Sequence, residues 1–163
     1  MTESGADFDD FFRTEQPKMV ALALALTGVP EAARDLAQES LVKAYRAWPS
    51  VQAMDKPGPW LRRVTINAAT SWHRTNRREE AARTRLGGEG SVVNPERESD
   101  MFWAAVRALP DRQRAAVALH YVEDMSVADV ATALEIAEGT VKASLFKARA
   151  TLARSLGATR GDD

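Results

Sequence analysis

Cysteine is absent from this chain of 163 residues, and histidine occurs only twice. The lack of cysteine excludes disulfides, thiolate nucleophiles and cysteine-ligated zinc, and it is typical of a reducing compartment. Neither His73 nor His120 has the set of partner side chains that a metal site or a catalytic triad requires. We therefore predict no catalytic residue, no metal site and no cofactor.

Long apolar runs are also missing. The longest covers residues 19–26, whereas a helix needs about 20 apolar residues to span a bilayer. The first ten residues carry acidic side chains where a secretory signal would carry basic ones. We expect a cytoplasmic protein without membrane insertion.

Basic residues are concentrated in two stretches, although the formal net charge of the whole chain is only −1. Residues 56–78 contain six basic and no acidic side chains, and residues 139–160 contain five basic and no acidic ones. Such stretches are typical of nucleic-acid contacts, with a solvated helix face as the alternative for each.

The apolar pattern has the period of helices throughout, and no alternating β-branched run of strand length occurs. We predict an all-α protein of two small helical domains, residues 7–78 and 100–157. Gly and charged residues interrupt the periodicity between them, which predicts a flexible linker over 79–99.

In the first domain we predict three helices: residues 8–27 with a kink or break at Pro17, residues 30–48, and residues 60–78 with a polar interruption near Asn67. In the second domain the predicted helices cover 100–109, 110–121, 127–134 and 138–156, with Ser126 as an N-cap.

The last two predicted helices are joined by a turn of about three residues and form a helix-turn-helix. The second of them directs several polar residues outward, where they can meet bases and phosphates in a major groove. These residues are Thr140, Lys142, Ser144, Lys147 and Arg149. An ordinary αα-corner with a solvated basic face is the alternative.

The segments 108–114 (ALPDRQR), 120–126 (HYVEDMS) and 138–142 (EGTVK) resemble the C-terminal domain of extracytoplasmic-function (ECF) sigma factors. The resemblance implies binding of the minus-thirty-five promoter element and of the β flap of RNA polymerase. It adds Arg112 and Arg114 to the five outward residues as DNA contacts. The family commonly has Gly where this chain has Glu135.

The segments 35–39 (DLAQE) and 44–48 (AYRAW) resemble the part of the same family that grips the β′ coiled coil of core polymerase. The resemblance implies that Asp35, Gln38 and Glu39 bind core, because exposed carboxylates and an amide offer acceptors to a basic helix. Tyr45 is expected to face the core of the domain. A solvated acidic face is the alternative.

The segment 60–72 (WLRRVTINAATSW) and the arginines after it resemble the minus-ten recognition and melting segment of the family. Arginines can follow single-stranded phosphates, while polar side chains and an indole can hold an extruded base. The residues implied are Arg63, Asn67, Thr70, Ser71, Trp72, Arg74, Arg77 and Arg78.

The resemblance therefore predicts a sigma factor, of an actinobacterial type, that binds core polymerase and promoter DNA and takes no small-molecule substrate. It also implies an anti-sigma factor as a further partner. The main alternative is a stand-alone helix-turn-helix regulator, which would bind duplex DNA without polymerase; an enzyme is the second alternative.

Overall fold

The computed structural model describes residues 2–87 and 98–160, and over these ranges it consists of α-helices without a strand, as predicted. No helix in the described ranges combines the length and the apolar character needed to cross a membrane. The helices are α1 (Thr2–Thr27), α2 (Pro30–Arg46), α3 (Trp48–Gln52), α4 (Pro57–Arg85), α5 (Glu98–Arg107), α6 (Asp111–Tyr121), α7 (Val127–Leu134) and α8 (Glu138–Arg160).

Helices α1, α2 and α4 pack against one another and form the first unit. Met19 and Leu22 of α1, Leu41 of α2 and Leu61 of α4 are fully or almost fully buried at its centre. Gly28 ends α1 with a positive φ of 70°, a conformation that costs glycine little. The chain can therefore reverse direction within two residues before Pro30 begins α2.

Two helices of the first unit are more continuous than the sequence predicts. Pro17 lies inside α1 without dividing it, because packing against α2 and α4 can offset the local cost of proline. Helix α4 runs through Asn67 without interruption and continues to Arg85. The predicted linker is therefore wrong for residues 79–85, which are helical, and residues 88–97 of it lie outside the described residues.

Helices α5 to α8 form the second unit, in which α5, α6 and α7 all contact α8. The predicted N-cap is confirmed, since the Ser126 hydroxyl accepts a hydrogen bond from the Asp129 backbone N–H at 3.1 Å. Glu135 adopts a left-handed conformation, with φ 56° and ψ 44°, and ends α7. This turn and the burial of Val130, Val141 and Leu145 complete the predicted helix-turn-helix.

The two units also pack against each other. Helix α1 contacts α5 and α6, and α4 contacts α6 and α7. A single cluster of buried side chains includes Leu22 and Leu61 of the first unit together with Val106 and Leu119 of the second. The chain is therefore closed, with the helix-turn-helix unit seated on the first unit.

Candidate nucleic-acid and protein interfaces

The basic helix α4 has one face in the interior and one at the surface. Of the residues predicted for minus-ten recognition, those at the surface are Asn67, Ser71, Arg74, Arg77 and Arg78, and those partly buried are Arg63, Thr70 and Trp72. The opposite stripe of α4, which includes Leu61, Ile66 and Ala69, is buried. One side of the helix thus carries the predicted DNA contacts, and the other side packs against the neighbouring helices.

A cleft of about 360 Å³ lies between α4 and α2. It is lined by Asn67, Ala68, Ser71, Trp72 and Thr75 of α4 and by Leu36, Glu39 and Lys43 of α2. An indole ring, an amide and a hydroxyl in one cleft suit a nucleobase, which can stack and form hydrogen bonds at its edge. The structure therefore brings together Asn67, Ser71 and Trp72, which the sequence predicts as one site.

His73 fixes the orientation of the helix that carries this cleft. Its Nε2 lies 2.6 Å from the carbonyl oxygen of Leu26 at the end of α1, so the ring donates a hydrogen bond across the unit. Burial, together with the positive charge of Arg114, lowers the pKa of His73, although its hydrogen bond to Leu26 opposes the shift. The ring is therefore held neutral, in a structural role.

The residues predicted to bind core polymerase, Asp35, Gln38 and Glu39, are all exposed on α2. Glu39 is paired with Lys43 one turn later at 3.4 Å. The prediction that Tyr45 faces the core is wrong, because its side chain is 64 % exposed.

An apolar groove of about 450 Å³ borders these acidic residues, and Gln38 belongs to both surfaces. The groove is lined by Phe8, Phe12, Gln16, Arg34, Gln38, Leu41, Val42 and Tyr45. Tyr45 packs edge-on against Phe8, with ring centroids 5.0 Å apart. Sequence reasoning missed this aromatic lining, because it placed Tyr45 toward the core and assigned no role to Phe8 and Phe12.

The outer face of the helix-turn-helix unit carries the exposed cations Arg112, Lys142, Lys147 and Arg149, with Thr140 partly buried. Arg149 is held in position because its Nε donates a hydrogen bond to the Tyr121 hydroxyl at 2.8 Å. Its guanidinium also lies 5.8 Å from the centre of the Tyr121 ring.

Arg114 and Ser144 require a correction, because both lie in the interior. Arg114 is 1 % exposed, and its guanidinium donates to the Leu109 carbonyl at 3.1 Å and to Asp111 at 2.7 Å. Ser144 is 7 % exposed on the inner side of α8. In this arrangement neither side chain can reach DNA, so the prediction of DNA contacts at these two positions is wrong here.

Several arginines of α4 meet carboxylates of the second unit. Arg63 forms an ion pair with Glu135 in the turn of the helix-turn-helix. Arg77 lies 3.4 Å from Asp111 at the start of α6. Burial alone would raise the pKa of Asp111, but the hydrogen bond and charge of Arg114 and the charges of Arg77 and Arg74 lower it.

Arg62 is a residue whose role sequence reasoning missed. Its guanidinium contacts Glu15 of α1 and Glu123, which follows α6. A signal was present, because the spacing of Arg62 from Thr65, Ile66 and Ala69 places it on the buried stripe of α4. A basic residue in a basic stretch is nevertheless easily assigned to the surface.

Comparison with known proteins identifies both units. The chain matches the family "Sigma-70 region 2" over residues 11–79 and the family "Sigma-70, region 4" over residues 99–152. It is 32 % identical over 152 residues to the RNA polymerase sigma-E factor of Streptomyces avermitilis, covering 92 % of this chain and 85 % of the relative. It is 33 % identical over 153 residues to the ECF RNA polymerase sigma factor SigM of Mycobacterium tuberculosis, covering 92 % and 77 %.

The fold has solved counterparts. The sigma factor RpoE of Bartonella quintana, in complex with the anti-sigma factor NepR, superimposes with a TM-score of 0.74 at 26 % identity, covering 93 % of this chain and 97 % of that one. CnrH in complex with the cytosolic domain of CnrY has a TM-score of 0.66 at 22 % identity, covering 93 % and 88 %, and supports the fold alone.

Proposed function

The chain belongs to the extracytoplasmic-function sigma factors of bacterial RNA polymerase, and we propose which of its surfaces bind core polymerase and which bind the two promoter elements. Sigma factors bind core polymerase and direct it to specific promoters, and that is the function of this chain. The observation that supports this assignment is the cleft between α2 and α4, which is lined by Glu39 of the predicted core-binding residues and by Asn67, Ser71 and Trp72 of the predicted minus-ten residues.

The exposed residues of α2 form the core-binding surface. Asp35, Gln38 and Glu39 present acceptors on one helix face, which suits a basic coiled coil such as that of β′. The neighbouring apolar groove adds area that such a helix can bury. We assign the β flap to the second unit, as the family resemblance implies.

The cleft beside α4 captures a base of the minus-ten element. A bubble of about ten base pairs costs on the order of 14 kcal/mol at about 1.4 kcal/mol per step. One stacked base returns only about 1–3 kcal/mol. The cleft therefore captures a base that is already extruded, while core polymerase holds the rest of the bubble.

The second unit reads the minus-thirty-five element through the first turns of α8. Lys142 and Lys147 are exposed on this helix and can neutralise phosphates beside the major groove. Arg112 can do the same from the start of α6. In this role the protein performs no catalysis itself, and it acts in the cytoplasm together with core polymerase.

We also propose an anti-sigma factor as a partner. The similar Bartonella quintana RpoE was solved in complex with the anti-sigma factor NepR. The apolar groove between α1 and α2 is an open surface of the first unit, and an inhibitor bound there would compete with core polymerase for Gln38.

Run-off transcription with purified core polymerase tests the function. The intact chain should co-purify with core and start transcripts at specific sites. Simultaneous substitution of Asp35, Gln38 and Glu39 by Ala should abolish both. Glu31→Ala is the matched control, because Glu31 is an exposed acidic residue in the first turn of the same helix. Specific duplex binding without any association with core would favour the stand-alone regulator instead.

A further inference from the structure

The groove between α1 and α2 is apolar at one end and polar at the other. At the apolar end Tyr45 packs on Phe8, with ring centroids 5.0 Å apart. The two helices run in opposite directions, because the chain reverses at Gly28. Gln16 and Gln38 also line the groove, and each lies about two turns from the aromatic pair, at about 3.6 residues per turn. Both amides therefore lie at the other end of the groove.

The apolar end is open to solvent. The exposed fractions are 41 % for Phe12, 38 % for Val42 and 64 % for Tyr45, whereas Leu41, which also lines the groove, is buried. Exposed apolar side chains that are contiguous in this way mark binding surfaces. The volume of about 450 Å³ lies within the range of small-molecule sites, roughly 300–1,000 Å³.

The polar end offers hydrogen-bond donors to an anion. Arg34 supplies the positive charge of the groove lining and lies about one turn from Gln38. Among the residues whose side chains the structure describes, Arg34 forms no ion pair, and the Gln16 and Gln38 amides form no hydrogen bond. A guanidinium and two amides at one end of an apolar groove can donate to the two oxygens of a carboxylate.

The surroundings of Arg34 favour one negative charge over two. Glu31 and Asp35 are exposed on α2 within one turn of it. A single carboxylate is matched by the guanidinium, whereas a second negative charge would meet these two acidic side chains without a further cation to balance it. The groove therefore suits a monocarboxylate better than a phosphate ester.

We propose that this groove binds a free amphipathic monocarboxylate of medium chain length, which inhibits the protein. The apolar chain lies against Phe12, Val42 and Tyr45, and the carboxylate pairs with Arg34. The distance along α2 from Arg34 to Tyr45 is roughly 16 Å at about 1.5 Å per residue, which accommodates an extended chain such as that of decanoate.

Inhibition follows from the position of Gln38, which belongs both to the groove and to the core-binding surface. A ligand in the groove occupies the Gln38 amide and covers the apolar area beside it, so core polymerase can no longer bury either. The ligand is an effector and not a substrate. Its inhibitory effect rests on the proposed function, whereas its binding does not.

Calorimetric titration of the free full-length chain with decanoate, kept below the concentration at which it forms micelles, tests the polar end. Arg34→Ala should weaken binding roughly tenfold, the change that a loss of about 1.4 kcal/mol produces. Arg46→Ala is the matched control, because Arg46 is exposed on the same helix but does not line the groove. Equal affinities of the two variants would refute the carboxylate site.

Val42→Asp tests the apolar end and should weaken binding of decanoate at least tenfold, because it places a negative charge beside the chain of the ligand. Val29→Asp is the control, since Val29 is 43 % exposed just before α2 and lies outside the groove. Circular dichroism checks that both variants are folded. If the unsubstituted chain does not bind decanoate, or if Val42→Asp binds it equally well, the proposal is wrong.

Further measurements distinguish other occupants of the groove. Decyltrimethylammonium has the same chain with a positive head and should bind at least tenfold more weakly than decanoate; equal binding would refute the role of Arg34. Sedimentation of the chain with phosphatidylglycerol vesicles would assign the groove to a membrane surface. A dimer of the free chain that Val42→Asp dissociates would assign it to a second copy. Either result would overturn the proposal.

Run-off transcription with core polymerase tests the inhibition. Decanoate should reduce transcription, and the concentration that halves the activity of each variant should rise roughly tenfold for Arg34→Ala but stay unchanged for Arg46→Ala. Binding of decanoate without loss of transcription would refute the inhibitory role. If the chain directs no transcription even without decanoate, the proposed function itself fails, while the calorimetric result still decides whether the groove binds the ligand.

Discussion

Arg112 and Arg114 lie two positions apart on α6 and have opposite environments. Arg112 is exposed, whereas the Arg114 guanidinium is buried against the Leu109 carbonyl and Asp111. The sequence resemblance treats both as DNA contacts, because a motif does not show whether an arginine side chain points to solvent or to the interior. Only the packing of α6 between the other helices of its unit separates the two roles.

Arg114→Ala should lower the free energy of unfolding by roughly 2–4 kcal/mol, because it leaves a buried carbonyl without its donor and removes a buried charged group from its partner. Urea unfolding measures the loss. Arg112→Ala is the control and should change stability by less than about 0.5 kcal/mol. Equal stabilities of the two variants would show that the buried contacts of Arg114 make no net contribution to the free energy of unfolding.

The stability of the protein should decline in mild acid because of His73. Burial lowers the pKa of His73 in the folded chain below its ordinary value of about 6.5. The unfolded chain therefore takes up a proton first, so the stabilisation is complete above about pH 6.5 and is lost as the pH falls towards the folded pKa. The urea midpoint between about pH 8 and 5.5 should show this loss, and His73→Gln should flatten the curve. An equally steep curve in the variant would assign the effect to other groups.

Helix ends are predicted well where a capping or helix-breaking residue marks them, whereas the end of α4 at Arg85 lies seven residues beyond the predicted one. Pro30, Gly28 and Ser126 mark boundaries by local chemistry, and each lies where the sequence predicts it. Asn67 predicts an interruption that does not occur, and Pro17, which predicts a kink or a break, does not divide α1, because burial of the opposite helix face outweighs the local preference. Tyr45 differs from its predicted position for a related reason: α2 has a second apolar side that lines an open groove between α2 and α1.

The N-cap of α7 should contribute measurably to the stability of the helix-turn-helix. Ser126→Ala removes the acceptor for the Asp129 backbone N–H and should cost about 1 kcal/mol. Thr132→Ala on the same helix is the control, because its exposed hydroxyl bonds back to the Ala128 carbonyl within the helix, where such a bond adds little. Thermal or urea unfolding measures the stability of each variant. If Ser126→Ala and Thr132→Ala lower the stability by similarly small amounts, the N-cap does not stabilise the helix-turn-helix.

Helix α8 should show its contact with DNA through salt dependence. If Lys142 neutralises one phosphate, Lys142→Ala should weaken holoenzyme binding to the minus-thirty-five element and reduce the slope of log affinity against log salt by about one unit. Arg154→Ala, an exposed cation two turns beyond Ala148 on the same helix, should leave the slope unchanged. A reduced slope for Arg154→Ala but not for Lys142→Ala would move the DNA contact to the other end of α8.

At the scale of the whole molecule, the sequence predicts the two units but not their contact. Apolar periodicity shows which face of a helix is buried. It does not show whether the helix that packs on this face belongs to the same unit. Arg62 shows the difficulty, since its place on the buried stripe is readable while its partner Glu123 lies 61 residues away. The exposure of Asn67 and Ser71 beside Trp72 could be predicted because it depends on one helix alone.

The shared core predicts that the two units unfold together. Trp60 and Trp72 lie in α4 of the first unit, and Trp48 of α3 packs against Phe8 and Phe11 of α1 in the same unit. Trp103 is the fourth tryptophan of the chain, in α5. In a Trp103→Phe variant, tryptophan fluorescence therefore reports the first unit, whereas circular dichroism reports all helices. Because one buried cluster spans both units, the two signals should give a single coincident transition in urea.

Adding Glu123→Ala to this variant should separate the two transitions, since it removes the ion pair between Glu123 and Arg62 that joins the units. Separate transitions in the Trp103→Phe variant that retains Glu123 would mean that the units fold independently and that their contact is too weak to hold the chain closed.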